Sequence, residues 1–295
     1  MGIRGDIGGI FRKGSSLKKL IYINIAVFII ITLVSVMGFL FNNHDLTVKA
    51  VNLFAVPAGL QKLLLRPWTI ITYMFTHKDI WHILFNMLWL YWFGIIFLEY
   101  LDQKKLTAVY ILGGICGAIV YILSFNIFPA FRGVVTESAA IGASASVMAV
   151  VIAIAAYVPD YSVNLFLLGR IKIKYMALAI LVLTSFMDFS VNSGGKLAHI
   201  GGALMGYLYT VSLKKGKDPG KGLNSILDYI HTLFRPRKKM KVTYRKPASD
   251  YEYRKSKADH QAEINKILDK ISRGGYDSLT KEEKDLLFRE SQPKN

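Results

Sequence analysis

The chain has 295 residues, 53% of them hydrophobic, with a mean hydropathy of +0.34 and a net charge of +17. This is too apolar for an ordinary soluble protein and fits a membrane protein with basic water-exposed parts. The one cysteine, Cys116, excludes an intrachain disulfide.

The first apolar segment, residues 20–41, is longer than a signal-peptide core and has no small-residue cleavage site, so it is expected to stay as a membrane helix. A crossing takes about 20 mostly apolar residues, and five more stretches qualify: 80–98, 106–128, 139–158, 173–189 and 197–213. The last three are short or carry Gly, Ser or His. Such residues are tolerable only where they face other helices or a water-filled cavity, which points to an interior site built from the later helices. Residues 42–79 form a first loop too long for a simple connector. Its VNLFAVPAGLQKLLLRPWTIITYMF stretch is apolar in patches with Trp68 and Tyr73, which suits a segment in the membrane interface. Lys62 and Arg66 interrupt it and argue against a seventh span.

Orientation follows from the basic residues. The segment 1–19 before the first span carries Arg4, Arg12, Lys13, Lys18 and Lys19; the second loop carries Lys104 and Lys105, and the fourth Arg170, Lys172 and Lys174. The opposite loops are sparser, with Lys49, Lys62, Arg66 and Lys78 in the long first loop, Arg132 in the third and Lys196 in the fifth. With six spans, both termini are expected in the cytoplasm.

From residue 214 the chain reads as soluble, with 21 Lys and Arg against 12 Asp and Glu. A basic linker, 214–257, contains RPRKKMKVTYRK, which could hold anionic lipid headgroups or simply be a solvated, topology-reinforcing stretch; nucleic-acid binding is disfavoured. Residues 258–295 read as a small helical hairpin, two short amphipathic helices around a Gly274–Gly275 turn, with Thr280 and Glu283 placed as a capping box.

Polar residues inside apolar spans are expensive to bury and should face the interior. His82 and Asn86 lie four apart on one helix face, where they can either bond neighbouring helices or reach a single oxygen atom. In the last span His199, Gly202 and Gly206 share a stripe on which a neighbouring helix can pack closely. In IGASASVMAV, Gly142 can break the helix so that Ser144 lies near a helix N-terminus, with free N–H donors and a positive dipole end. Ser144 and Ser146 are separated by about 200° around a helix, so only one of them can face His199. A serine needs a base to become a nucleophile, and His199 is the only histidine of the last three spans. That combination points to acyl transfer to Ser144 with His199 as acid and base, and with His82, Asn86 and the Ser144 N–H stabilising an oxyanion. No Asp or Glu is placed to orient His199, since Asp188 sits at the far end of the preceding span, so a dyad is the reading. Ser146 is assigned to packing.

Residues 82–86 (His-Ile-Leu-Phe-Asn), Gly142-Ala143-Ser144 and Ala198-His199 with Gly202 and Gly206, in that order on those spans, resemble the rhomboid intramembrane serine proteases. The resemblance covers roughly residues 15–214. It implies an all-α six-helix transmembrane bundle with a long interfacial first loop, Ser144 as nucleophile, His199 as base, and His82 and Asn86 in the oxyanion hole. Gly142, Gly202 and Gly206 are its helix-packing glycines. The family implies cleavage of transmembrane protein substrates, with no metal, nucleotide or other cofactor. The chain departs from the pattern at Ala145, where Gly is frequent, at Met148, where some members place an aromatic, and at Trp68-Thr69, where Trp-Arg is common. His77 matches a position with a structural hydrogen-bonding role. The tail hairpin resembles one found after rhomboid domains of some bacterial members, which favours a bacterial cytoplasmic membrane. The alternatives are a non-catalytic rhomboid-like protein that binds transmembrane helices, disfavoured because Ser144 and His199 are both present, and a transporter, disfavoured because no internal repeat is visible.

Overall fold

The structure, a computed structural model, describes residues 15–43, 45–165, 169–187, 192–234 and 249–290. Helix α1 (Ser16–Leu40) is mostly apolar after Lys19 and buries Leu17, Leu20, Asn24, Ile31 and Gly38 along one side. Asn24 is a buried amide, and two acceptors offset the cost for its NH2 group, while Oδ1 has no partner among the described residues. Its Nδ2 donates to the Leu20 carbonyl (2.8 Å) and to the Tyr110 hydroxyl (3.0 Å), which in turn donates to the Met74 carbonyl (3.0 Å). One hydrogen-bond chain thus joins the first helix, a later helix and the first loop.

The first loop folds as a series of short elements: α2 (Asp45–Phe54), β1 (Val56–Pro57), α3 (Leu60–Leu65) and α4 (Thr69–Thr72). The last carbonyls of a helix have no partner within it, and here side chains supply them. Arg66 Nη1 donates to Asn52 O (2.9 Å), Trp68 Nε1 to Leu53 O (2.9 Å) and Thr72 Oγ1 to Phe54 O (3.0 Å). Trp68 therefore acts as a cap within the loop.

Helix α5 (Ile80–Tyr100) starts at Asp79, whose carboxylate accepts from His82 N (2.9 Å), and α6 (Gln103–Ile127) starts at Asp102, which accepts from Lys105 N (2.9 Å). Both are acidic N-caps that satisfy free donors and complement the dipole. Strand β2 (Ala139–Ala140) pairs antiparallel with β1, Val56 opposite Ala140 and Pro57 opposite Ala139. It leads into α7 (Ser144–Tyr157). A hairpin of β3 (Ser162–Leu165) and β4 (Gly169–Lys172) follows, then α8 (Ile173–Ser185), α9 (Ser193–Lys214) and α10 (Lys221–Phe234).

Three of these helices, α1, α5 and α6, are long and apolar enough to cross a membrane; α7 and α8 are apolar but shorter. Helix α9 has 22 residues, with Ser, Gly, Lys and His in its first two turns. The apolar segment 139–158 is not helical from its start, because β2 and the turn at Gly142 occupy its first residues. Helix α7 is the most enclosed element: residues 145–151 are all buried. Lipid tails offer no hydrophobic drive for helices to associate, so small residues and close backbone approach must hold it. A Cβ on Gly202 or Gly206 of α9 would overlap the carbonyl oxygen of Ala145 or Ala149, and one on Gly117 of α6 would lie 2.6 Å from the Ala145 methyl. Ala145 thus fills the space that Gly117 leaves.

The chain divides into two compact units, Met1–Arg235 and Pro236–Asn295. The first extends past residue 213 because it includes α10, whose half-polar sequence contains no continuous apolar run to mark it. The stretch 214–257, read as linker, also gives up its end to α11 (Asp250–Gly274), the first helix of the second unit. That helix is 25 residues long, where a short one was expected, because Ser249 and Glu252 form a capping box well upstream. The chain turns at Gly275 into α12 (Lys281–Glu290); Glu283 N donates to Thr280 Oγ1 (3.3 Å), Thr280 N to Glu283 Oε2 (2.7 Å), and Ile267 and Leu279 are buried. Asp188 and the basic run 235–246 lie outside the described residues.

Candidate active site

The site is assembled at the N-terminus of α7. Gly142 has φ +121°, a conformation that side chains disfavour, and its N–H donates to the Tyr73 carbonyl (2.9 Å). A Cβ there would lie 2.6 Å from His82 Cε1, so the glycine leaves room for the imidazole. Gly142 therefore serves the turn and the His82 ring, whereas Gly202 and Gly206 pack helices. At the next residue, Ala143 N donates to His77 Nε2 (3.2 Å). His77 is fully buried, and its ring meets the His82 ring edge to face at 5.1 Å. The structural role expected of His77 is this clamp on the turn before Ser144.

Ser144 is partly exposed, in contrast to the buried residues after it. It borders a cavity of about 320 Å³ together with His82, Asn86 and His199. Apolar walls come from Trp81, Phe85 and Trp89 of α5, from Val147, Met148 and Val151 of α7, and from Ile180 of α8. The four polar residues singled out from the sequence are thus brought to one space by α5, α7 and α9. Ser146 is not: it is fully buried, and its Oγ lies 3.6 Å from Met74 Sδ.

The orientation of His199 comes from a group the sequence does not reveal. Its Nδ1 lies 3.3 Å from the Thr184 carbonyl in the last turn of α8. A carbonyl only accepts, so Nδ1 carries the hydrogen and Nε2 of the neutral ring is left with its lone pair. The carbonyl is available because the final turn of a helix has no internal donors for it. No carboxylate borders the cavity among the described residues. No hydrogen bond joins Ser144 to His199 among the described residues; the two share the cavity wall. Asn86 is buried, with Nδ2 donating to the His82 carbonyl (2.8 Å) and lying 3.4 Å from His77 Nε2. Its amide is therefore already turned toward the clamp.

A model of the Rhomboid domain matches residues 65–216, just over half the chain and the whole of this site. The chain belongs to the rhomboid family. With its apolar helices this makes it a membrane protein. Residues 249–293 of the rhomboid chain match a second model, a family of unknown function (DUF6576), which coincides with the α11–α12 unit. A search of curated proteins returned no match. Within the rhomboid domain, the Ala145 departure is accommodated by Gly117, and Met148 forms part of the cavity wall. The contact of His199 with the Thr184 carbonyl was not legible in the sequence; a Thr near the end of an apolar segment carries no signal that its backbone will meet a histidine 15 residues later.

Proposed function

We propose that this rhomboid protein is an intramembrane serine endopeptidase that hydrolyses a peptide bond in or near the transmembrane segment of membrane-protein substrates. The observation that carries the reading is the contact of His199 Nδ1 with the Thr184 carbonyl, which leaves the Nε2 lone pair free on a residue that lines the same cavity as Ser144. As Ser144 Oγ attacks the substrate carbonyl carbon, its proton passes to His199 Nε2 and the carbonyl oxygen takes the charge. That oxygen is stabilised by the Ser144 backbone N–H at the α7 N-terminus, by His82, and by the Asn86 N–H that otherwise makes the long contact with His77. His199 then gives its proton to the leaving amine. A water deprotonated by His199 attacks the acyl-enzyme ester, and the proton returns to Ser144 as the acid product leaves. The Thr184 carbonyl keeps His199 in one tautomer through both halves, the part an aspartate plays in a triad.

In the same reading, six helices, α1 and α5–α9, cross the membrane with both termini in the cytoplasm, the first loop lies in the interface, and the membrane is a bacterial cytoplasmic membrane. The shorter α7 is shielded by the rest of the bundle, which relaxes the length a crossing requires.

The test is reconstitution of wild type and Ser144→Ala with a labelled transmembrane substrate. Cleavage by wild type and none by the variant is expected; equal cleavage by both would sink the assignment, and substrate capture without cleavage by either would favour the helix-binding alternative.

A further inference from the structure

Helix α10 carries a face that neither the cavity nor the bundle uses. Around its axis Leu223, Ile226, Leu227, Tyr229, Ile230 and Leu233 fall on one side, and Lys221, Asn224, Ser225, Asp228 and Thr232 on the other. The polar side meets the start of α6: Lys221, Asn224, Ser225 and Asp228 line a groove with Asp102, Gln103 and Lys104, and Lys104 Nζ pairs with Asp228 Oδ2 at 2.7 Å. On the apolar side Leu223 packs against the core, but Ile226, Tyr229, Ile230 and Leu233 are 58, 65, 44 and 63% exposed. Their spacing, i, i+3, i+4 and i+7, makes one continuous stripe from residue 226 to residue 233.

We propose that α10 lies in the membrane surface with this stripe in the bilayer. Three observations favour lipid over other occupants. The helix follows α9 after six residues in the same compact unit, so it starts where the last bundle helix ends. Lys215, Lys217 and Lys221 are exposed at that start, the charge that anionic headgroups attract. The stripe mixes aliphatic residues with Tyr229, an aromatic with a polar tip suited to the headgroup level. A helix of 14 residues spans about 21 Å, too short to cross a core of about 30 Å, and its polar face is unsuited to crossing. Lying flat satisfies both faces: the Lys104–Asp228 pair turns the polar side to the loop, and the bilayer covers the rest. The exposed ion pair is a weak tether alone, so the stripe supplies the attachment and the pair sets the rotation.

The experiment uses the full chain with Cys116→Ala and one new cysteine at Ile230, at Leu233 or at Ser225, each carrying a bimane fluorophore, in vesicles of phosphatidylcholine and phosphatidylglycerol. Labels at 230 and 233 are expected to be quenched by nitroxide-bearing lipid and to be about tenfold less sensitive to aqueous iodide than the label at 225. Equal iodide quenching at all three positions overturns the proposal. So does shielding of 230 and 233 from both quenchers, which would mean that protein, such as a second copy of the chain, covers the stripe. Two reporters on the apolar face keep the test decisive if one variant fails to fold.

Discussion

Helix α7 has a tight side and a loose side. On the tight side, the carbonyls of Ala145 and Ala149 lie against Gly202 and Gly206 of α9, the Ala145 methyl sits over Gly117, and Thr210 Oγ1 donates to the Ala153 carbonyl at 2.9 Å. On the loose side, Ser144, Val147, Met148 and Val151 face the cavity. The two sides follow from one periodicity, since residues three, four and seven apart return to the same face. The nucleophile proposed at Ser144 needs a fixed backbone and an open space in front of it, and this helix separates the two requirements by rotation. Rigidity comes from glycines on the neighbours, so α7 itself can carry the cavity-lining side chains.

The strongest way to break that contrast is Gly202→Val, which forces a side chain into the Ala145 carbonyl. It is expected to destabilise the domain by about 3 kcal/mol, read as a lower unfolding temperature in detergent, whereas Val151→Leu on the cavity side should cost under about 1.5 kcal/mol. Comparable losses would mean that the tight side is not tight.

Gly142→Ala tests the turn that joins the two sides. The positive φ and the contact with His82 together are expected to cost about 1–3 kcal/mol, felt mainly as displaced His82 and Ser144. Cleavage should fall by at least about tenfold while the unfolding temperature moves by only a few degrees. A variant with full activity would show that the His82 ring does not depend on this glycine.

Ser146→Ala sharpens the contrast from the buried face. Its hydroxyl has only a weak sulfur acceptor, so stability should change by no more than about 1 kcal/mol and cleavage should stay near wild type. A loss as deep as that of Ser144→Ala would reverse the assignment of the two serines.

The smallest effect is expected beyond the end of α7, at Asp160. Lys172 and Lys174 each pair with its carboxylate at 2.9 Å and hold its pKa down, from 3.8 to about 2. A depressed carboxyl contributes stability above its unfolded value and loses it as pH falls through the folded one. Amides of the β3–β4 hairpin should therefore exchange faster as pH drops from about 4 to about 2, after correction for intrinsic exchange. Added salt should blunt the change, since the side chains are exposed. Asp160→Asn should remove this pH dependence and leave cleavage unchanged.

Much of this was legible in the residues alone. Three of the apolar runs are helices long and apolar enough to cross a membrane, where a backbone must be satisfied within its own segment. Periodicity put His82 with Asn86 and His199 with Gly202 and Gly206, and Gly142 announced the helix start at Ser144, since these depend only on local geometry. The tertiary structure alone decided what each group meets. It decided that the Thr184 carbonyl takes Nδ1 of His199, that His77 clamps Ala143 and holds the Asn86 amide, and that α10 belongs to the membrane unit with its apolar stripe uncovered. Those outcomes depend on how distant helices cross, and a backbone carbonyl carries no mark in the sequence of the side chain that will reach it.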